Sequence, residues 1–174
     1  MLYGMNGLYQ CVVRVIDRYK TGNLFLLQLE FASNLRKFQR RDFYRFSCAL
    51  EMTSRNLEEE EVVDMEQMRP GKELSLQPGL PLERSVIVDI SGGGLRFVST
   101  QKYEVDSFIY CNYTLIVKGE RKKYNIVGKV LAAKEVENRK GSYEHRVQYY
   151  NIPRDVQEEI IKYIFEEERK SLKK

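Results

Sequence analysis

The chain has 174 residues, 43% of them hydrophobic, enough for one sizeable core and a small appendage but too few for two full-sized domains. Charged residues make up 31% and the formal net charge is +4, a mild basic excess that excludes the dense cationic surface of a dedicated duplex-DNA binder. Cys11, Cys48 and Cys111 are odd in number, far apart and without CxxC spacing, which excludes a disulfide framework and a zinc site and fits a reducing compartment.

Residues 9–16 (YQCVVRVI) and 23–31 (NLFLLQLEF) are rich in β-branched and aromatic residues, and the turn chemistry of residues 17–22 lies between them. They read as the two strands of a hairpin. A lone hairpin is marginal in water, so it needs something to pack on. Residues 32–38 are polar and basic and read as a linker. Next come Arg40, Arg41 and Arg45 in Gln39-Arg40-Arg41-Asp42-Phe43-Tyr44-Arg45, at the mouth of a strand in which Phe46, Cys48, Leu50 and Met52 share one face.

From residue 53 to 83 the alternation dissolves. Glu58–Glu61 is a run of like charge, and Pro70, Gly71, Pro78, Gly79 and Pro81 punctuate the residues beyond it, so the stretch reads as a solvated excursion with at most a short hairpin or helical turn. Strands resume at 84–90, turn at Gly92-Gly93-Gly94 and continue through 95–98, 107–117, 124–132 and 143–150, with no helix between them. That pattern predicts a small antiparallel barrel or sandwich. The chain closes with a helix. Pro153 stands at its start, acids fill its first turns and bases its last, and Val156, Ile160, Ile161, Ile164 and Phe165 form an apolar stripe for the barrel or for a partner.

Two stretches carry chemistry. Arginine presents a planar fork that makes paired, charge-assisted bonds to phosphate and matches the O6 and N7 acceptors of guanine. An ionised aspartate is acceptor-only and complements the N–H donors on guanine's Watson–Crick edge, so Asp89 favours guanine over adenine. Ser91 adds a hydroxyl, and the glycines admit close backbone approach. The set describes a pocket for guanine and phosphate. His145, the single histidine, has no acid or nucleophile beside it in sequence and reads as a packing or surface residue. With no metal-ligand spacing, nucleophile elbow or Walker loop, no enzyme is expected, and no cofactor.

At Arg41-Asp42-Phe43-Tyr44-Arg45 (RxxxR) and Asp89-Ile90-Ser91-Gly92-Gly93-Gly94 (DxSxxG) the chain resembles the PilZ domain family, bacterial receptor modules for cyclic di-GMP. The resemblance implies a mainly β protein: a PilZ-type six-stranded antiparallel β-barrel with a C-terminal α-helix. It implies that Arg40, Arg41, Arg45, Asp89, Ser91, Gly93 and Gly94 bind the ligand, with Arg40 bearing on whether one molecule or an intercalated pair is held. The Gln-Arg-Arg phrasing is similar to the flagellar-brake (YcgR-like) subgroup, whose members carry an N-terminal split-barrel domain. Only some forty residues precede the motif here, so residues 1–35 are expected to be a short β-hairpin remnant of that domain, or a fragment of it, and residues 36–174 the barrel with its helix. The implied activity is a cytoplasmic receptor that changes conformation on binding and regulates motility through a protein partner, the flagellar motor first among them. Two other readings stay open: a small barrel binding single-stranded nucleic acid through the same arginines and its tyrosines, and a ligand-independent PilZ scaffold.

Overall fold

The computed structural model describes residues 2–4, 7–67 and 76–172. The chain divides into two compact units, Met1–Asp42 and Phe43–Lys174.

In the first unit, β1 (Leu2–Gly4) pairs with β2 (Gly7–Gln10), and β3 (Val13–Thr21) pairs with β4 (Leu24–Phe31) as a hairpin. The short β5 (Arg36–Lys37) completes a three-stranded sheet of order β1-β2-β5, within the stretch expected to be a linker. Residues 9–16, expected as one strand, are divided between β2 and β3 at Cys11 and Val12. The turn expected over residues 17–22 is tighter than its composition implies. Ile16 is inserted between the Val15↔Leu29 and Asp17↔Gln28 pairs, a β-bulge that lets the polar run 17–21 stay in the ladder. The Lys20 ammonium lies 5.2 Å from the Phe25 ring centre across the strands. The chain reverses only at Gly22, whose φ of 60° is the left-handed conformation that glycine adopts without a Cβ clash.

The second unit is a closed antiparallel barrel. Its strands are β6 (Arg45–Asn56), β7 (Glu83–Ser91), β8 (Gly94–Ser99), β9 (Phe108–Val117), β10 (Glu120–Glu135) and β11 (Tyr143–Tyr149), in spatial order β10-β11-β8-β7-β6-β9 with β9 closing onto β10 as well as β6. The ring closes where Met52–Asn56 of β6 pair with Ile109–Tyr113 of β9. Alternate residues fill the interior: Met52, Ile87, Phe97, Ile109, Cys111, Tyr113, Leu115, Ile126, Val130 and Val147 are buried, and Phe46, Cys48 and Leu50 pack against them. Tyr113 and Tyr149 satisfy each other's hydroxyls at 2.9 Å. His145 is wholly buried, stacked on Phe97, and its Nε2 accepts the Tyr103 backbone N–H at 3.0 Å. It is a core residue, and burial lowers its pKa to about 4.

The helix α2 (Arg154–Ser171) begins immediately after Pro153 and buries Ile160, Tyr163 and Ile164 against the barrel. Its Glu159 is tied to Lys122 and to the Tyr124 hydroxyl of β10.

The stretch after residue 53 is more ordered than a solvated excursion. Strand β6 runs on to Asn56, and Glu59–Gln67 forms a helix, α1. Three glutamates occupy its first turn, where the helix dipole favours negative charge. Glu59 and Glu60 are exposed, but Glu61 is buried in a paired bond with the Arg55 guanidinium, Nη1 to Oε2 at 2.7 Å and Nη2 to Oε1 at 2.5 Å. The backbone N–H groups of Glu58 and Gln77 donate to the same carboxylate at 2.9 and 2.8 Å. One of the four glutamates therefore serves as an internal anchor, held to a pKa of about 2 by the Arg55 bond and these donors. Residues 68–75 lie outside the described part, Pro70 and Gly71 among them.

Candidate functional site

Strand β7 first points its odd-numbered residues inward: Ser85 and Ile87 are buried in the barrel, with Val86 exposed between them. Strict alternation would send Asp89 and Ser91 into the apolar core. The ladder to β8 instead slips by one residue between the Ile87↔Phe97 and Asp89↔Arg96 pairs. This β-bulge reverses the phase, so that Ile90 becomes the wholly buried residue and Asp89 and Ser91 are re-aimed to the other face. A carboxylate inside the core would be neutralised or expelled; the bulge removes that conflict.

Directly opposite on β6, Arg45 pairs in register with Ser91, and Ser47 pairs with Asp89. Opposite pairs share a face, so the second arginine of RxxxR and the acid and hydroxyl of DxSxxG form one patch across two adjacent strands. Arg45 is exposed, while Asp89 and Ser91 retain 9% and 8% of their surface. Arg40 and Arg41 are also exposed and belong to the first unit, where the Gln39 side-chain amide donates to the Arg41 carbonyl at 3.0 Å.

Arg96, which sequence reasoning left unassigned, lies at the centre of the patch. Its Nε donates to Asp89 Oδ2 at 2.6 Å and its Nη1 to Glu144 Oε2 at 2.9 Å. Among the described residues Asp89 Oδ1 carries no such bond, so the carboxylate keeps acceptor capacity on one side. Asp89 also helps to push the Cys48 thiol up to about 11, second to burial, which leaves that cysteine protonated and unreactive near neutral pH.

The glycine turn is closed by Ser91. The serine hydroxyl donates to the Gly94 carbonyl at 3.0 Å, and its oxygen faces the Gly93 N–H at 3.4 Å. The Gly92 carbonyl accepts from the Gln157 amide of α2 at 2.9 Å, and the Gly93 carbonyl accepts the Tyr149 N–H at 3.0 Å. The turn is therefore anchored to the helix and to β11 rather than left free at the rim.

Each glycine has its own steric reason. A Cβ on Gly94 would collide with the Val147 backbone carbonyl and come within 3.1 Å of Gln148 Cα. A Cβ on Gly93 would lie 2.9 Å from the Phe43 ring, and one on Gly92 2.7 Å from both Phe43 and Ile161. Phe43, inside RxxxR, thus covers the turn that DxSxxG builds. Its neighbour Tyr44 stacks on Phe165 of α2, with ring centres 6.4 Å apart and planes inclined by 17°, and the Glu168 carboxylate raises its hydroxyl pKa. The two residues between the arginines that sequence reasoning passed over fasten the entry of β6 to the turn and to the terminal helix. The aromatic character of the pair was the available signal.

A PilZ domain profile matches residues 34–166. By sequence alone no curated protein matches the chain. Among solved structures, the Bacillus subtilis inhibitor of motility, MotI/DgrA, aligns with a TM-score of 0.66 at 16% identity, over 95% of this chain and 68% of that one. The PilZ domain of Escherichia coli YcgR with c-di-GMP aligns at 0.51 and 14% identity, over 78% and 96%. The K. pneumoniae MrkH–c-di-GMP complex aligns at 0.51 and 14%, over 95% and 69%. At these identities the likeness is one of fold. Among the described residues no helix is long and apolar enough to cross a membrane, and no group of three or more metal-ligating side chains forms a metal site. With both motifs in place, a six-stranded closed barrel with its terminal helix, and a profile match over most of its length, the chain belongs to the PilZ domain family.

Proposed function

We propose that this chain is a cyclic di-GMP receptor that works as a switch on motility. The carrying observation is the register of Arg45 against Ser91 and of Asp89 between Ser47 and Arg96, which joins residues of both motifs in one outward-facing patch of donors and an acceptor. In this reading Arg41 and Arg45 grip phosphate and guanine, and Arg40 bears on the number of ligands held. Asp89 accepts from a guanine edge through its free oxygen. Ser91, Gly93 and Gly94 supply a turn already closed by the Ser91 hydroxyl and anchored through the Gly93 carbonyl, against which the ligand lies. Two of the structural neighbours carry c-di-GMP in their descriptions, and another is described as an inhibitor of motility.

The output is conformational and no bond of the ligand is cleaved. A ligand gripped by the arginine stretch resets that stretch and changes what the chain presents to a protein partner, for which the flagellar motor is the first candidate. Calorimetry tests the binding step. Cyclic di-GMP should bind far more tightly than GTP or cyclic di-AMP, and Arg45→Ala should weaken it by roughly 1.5–3 kcal/mol, the scale of a charge-assisted hydrogen bond. Equal affinity for all three nucleotides would refute the assignment.

A further inference from the structure

The outer face of the barrel can be followed from strand to strand by register. Ser47 of β6 lies opposite Asp89 of β7, Asp89 opposite Arg96 of β8, and Arg96 opposite Arg146 of β11, so all four share one transverse row. The neighbouring row runs Arg45, Ser91, Gly94 and Gln148 over the same strands. The patch that joins the two motifs therefore does not stop at β8. It continues onto β11, which carries neither motif, and Gly94 sets no side chain between Ser91 and that strand.

Both acids of this patch go to one arginine. Arg96 holds Asp89 at 2.6 Å and Glu144 at 2.9 Å. Glu144 stands two residues before Arg146 on the same face of β11, yet its bond is to Arg96. Arg146 is exposed and, among the described residues, forms no hydrogen bond or ion pair. Directly opposite it is an arginine already satisfied by two acids, so an anion for Arg146 has to come from outside the patch. Two guanidiniums without a carboxylate of their own thus flank one acceptor, Arg45 on β6 and Arg146 on β11 with Asp89 between them.

On the receptor reading proposed above, on which this step rests, we infer that Arg146 is a further ligand-binding residue: it takes a phosphate of cyclic di-GMP on the side of Asp89 away from Arg45. The ligand is a ring closed by two phosphodiesters, each an anion that calls for its own cation. Each guanosine of that ring is joined to both phosphates, so a guanine edge held at Asp89 leaves one phosphate to either side. Arg45 and Arg146 are three strand spacings apart, roughly 14 Å along the sheet. Two long side chains reaching inward from the ends of that gap can close on one compact ring. The guanidinium suits the task, being always charged and matching phosphate with paired donors. Sequence spacing hides this residue, because Arg146 lies far beyond both motifs and reaches the patch only through the ladder between β8 and β11.

Calorimetry with cyclic di-GMP tests this. Arg146→Ala should weaken binding about tenfold or more, the loss of one charge-assisted contact. Arg146→Glu should weaken it further, and Arg146→Lys should recover part of the loss, since phosphate also accepts a point charge. Affinity in Arg146→Ala should be less sensitive to added salt than in the parent, because one charge pair fewer is screened. The ligand-free melting temperature should stay at the parent value in all three, as the side chain is exposed and bonds to nothing in the fold. Parent affinity in Arg146→Ala, or a ligand-free melting temperature lowered in step with the affinity, would overturn the assignment and leave the receptor reading standing. Arg146→Lys no better than Arg146→Ala would overturn phosphate as the group that Arg146 takes. A parent chain that does not bind cyclic di-GMP would overturn the receptor reading, and this step with it.

Discussion

Arg96 holds Asp89 through a 2.6 Å bond from Nε to Oδ2 and is itself held by Glu144, so the acid of DxSxxG is oriented before any ligand arrives. Asp89 can thus present Oδ1 to a guanine edge without rotating. Asp89→Asn should weaken cyclic di-GMP binding by roughly 1.5–3 kcal/mol, because the amide puts a donor where an acceptor is needed. Arg96→Ala should weaken it less, by about 1 kcal/mol, through loss of orientation, and Arg96→Lys should restore only part of that, lacking the fork that reaches both acids. Calorimetry on the three variants checks the order; Arg96→Ala binding more tightly than the parent would show that Arg96 competes with the ligand.

The motif glycines should separate by whether their missing Cβ makes room for main chain or for a side chain. A Cβ on Gly94 meets the Val147 main chain, which cannot move without disturbing the ladder between β8 and β11. Gly94→Ala should therefore cost at least ~3 kcal/mol of stability, the range of overpacking and strain combined. At Gly93 the obstacle is the Phe43 ring, a side chain rather than the main chain of a ladder. Gly93→Ala should fold with a much smaller loss but displace Phe43 and weaken nucleotide binding. Urea denaturation with calorimetry separates the two, and equal stability losses would remove the distinction.

Tyr44 joins the arginine stretch to the last turns of α2 through Phe165 and Glu168. Tyr44→Ala should release that helix end, seen as faster amide hydrogen exchange at residues 165–171 with the barrel strands unchanged. Uniform exchange rates in parent and variant would show that the ring contact does not restrain the helix.

The antiparallel β class was legible from β-rich runs separated by turn residues, which left barrel and sandwich open until the PilZ resemblance pointed to the barrel. Phe46, Cys48, Leu50 and Met52 fall on the core side as their spacing predicts. The candidate patch was visible in the sequence as two motifs but not as a geometry. Nothing local announces the bulge at residue 88 that turns Asp89 outward, or the pairing of Arg96 with an acid seven residues earlier. Glu61 was hidden for a related reason. In sequence it is one of four like charges, and only the fold supplies Arg55 and the backbone donors that make its burial tolerable. The acidic first turn of α1 was the available signal. The hairpin boundaries shifted because the bulge at Ile16 keeps residues of turn-like composition in the ladder.

Two buried groups should shape the acid limb of stability, each in its own pH window. The carboxylate of Glu61 titrates near 2 in the fold against an ordinary 4.5, so its contribution is complete above about pH 4.5 and is lost as the pH falls toward 2. His145 is held neutral, with a pKa of about 4 against 6.5. The unfolded chain gains that proton first, so stability falls between about pH 6.5 and 4. His145→Leu should flatten the upper window and leave the lower one intact, while Glu61→Gln should do the reverse. At neutral pH Glu61→Gln should also cost roughly 3–5 kcal/mol, because it strands the Arg55 charge in a buried site, whereas Arg55→Met with Glu61→Leu together should cost far less. Urea denaturation from about pH 7 to about 2.5 on the four chains tests all of this. A parent profile with no slope between about pH 6.5 and 4.5 would show that His145 is already protonated in the fold, and a double variant no more stable than Glu61→Gln would show that the pair is held by something other than its mutual charge.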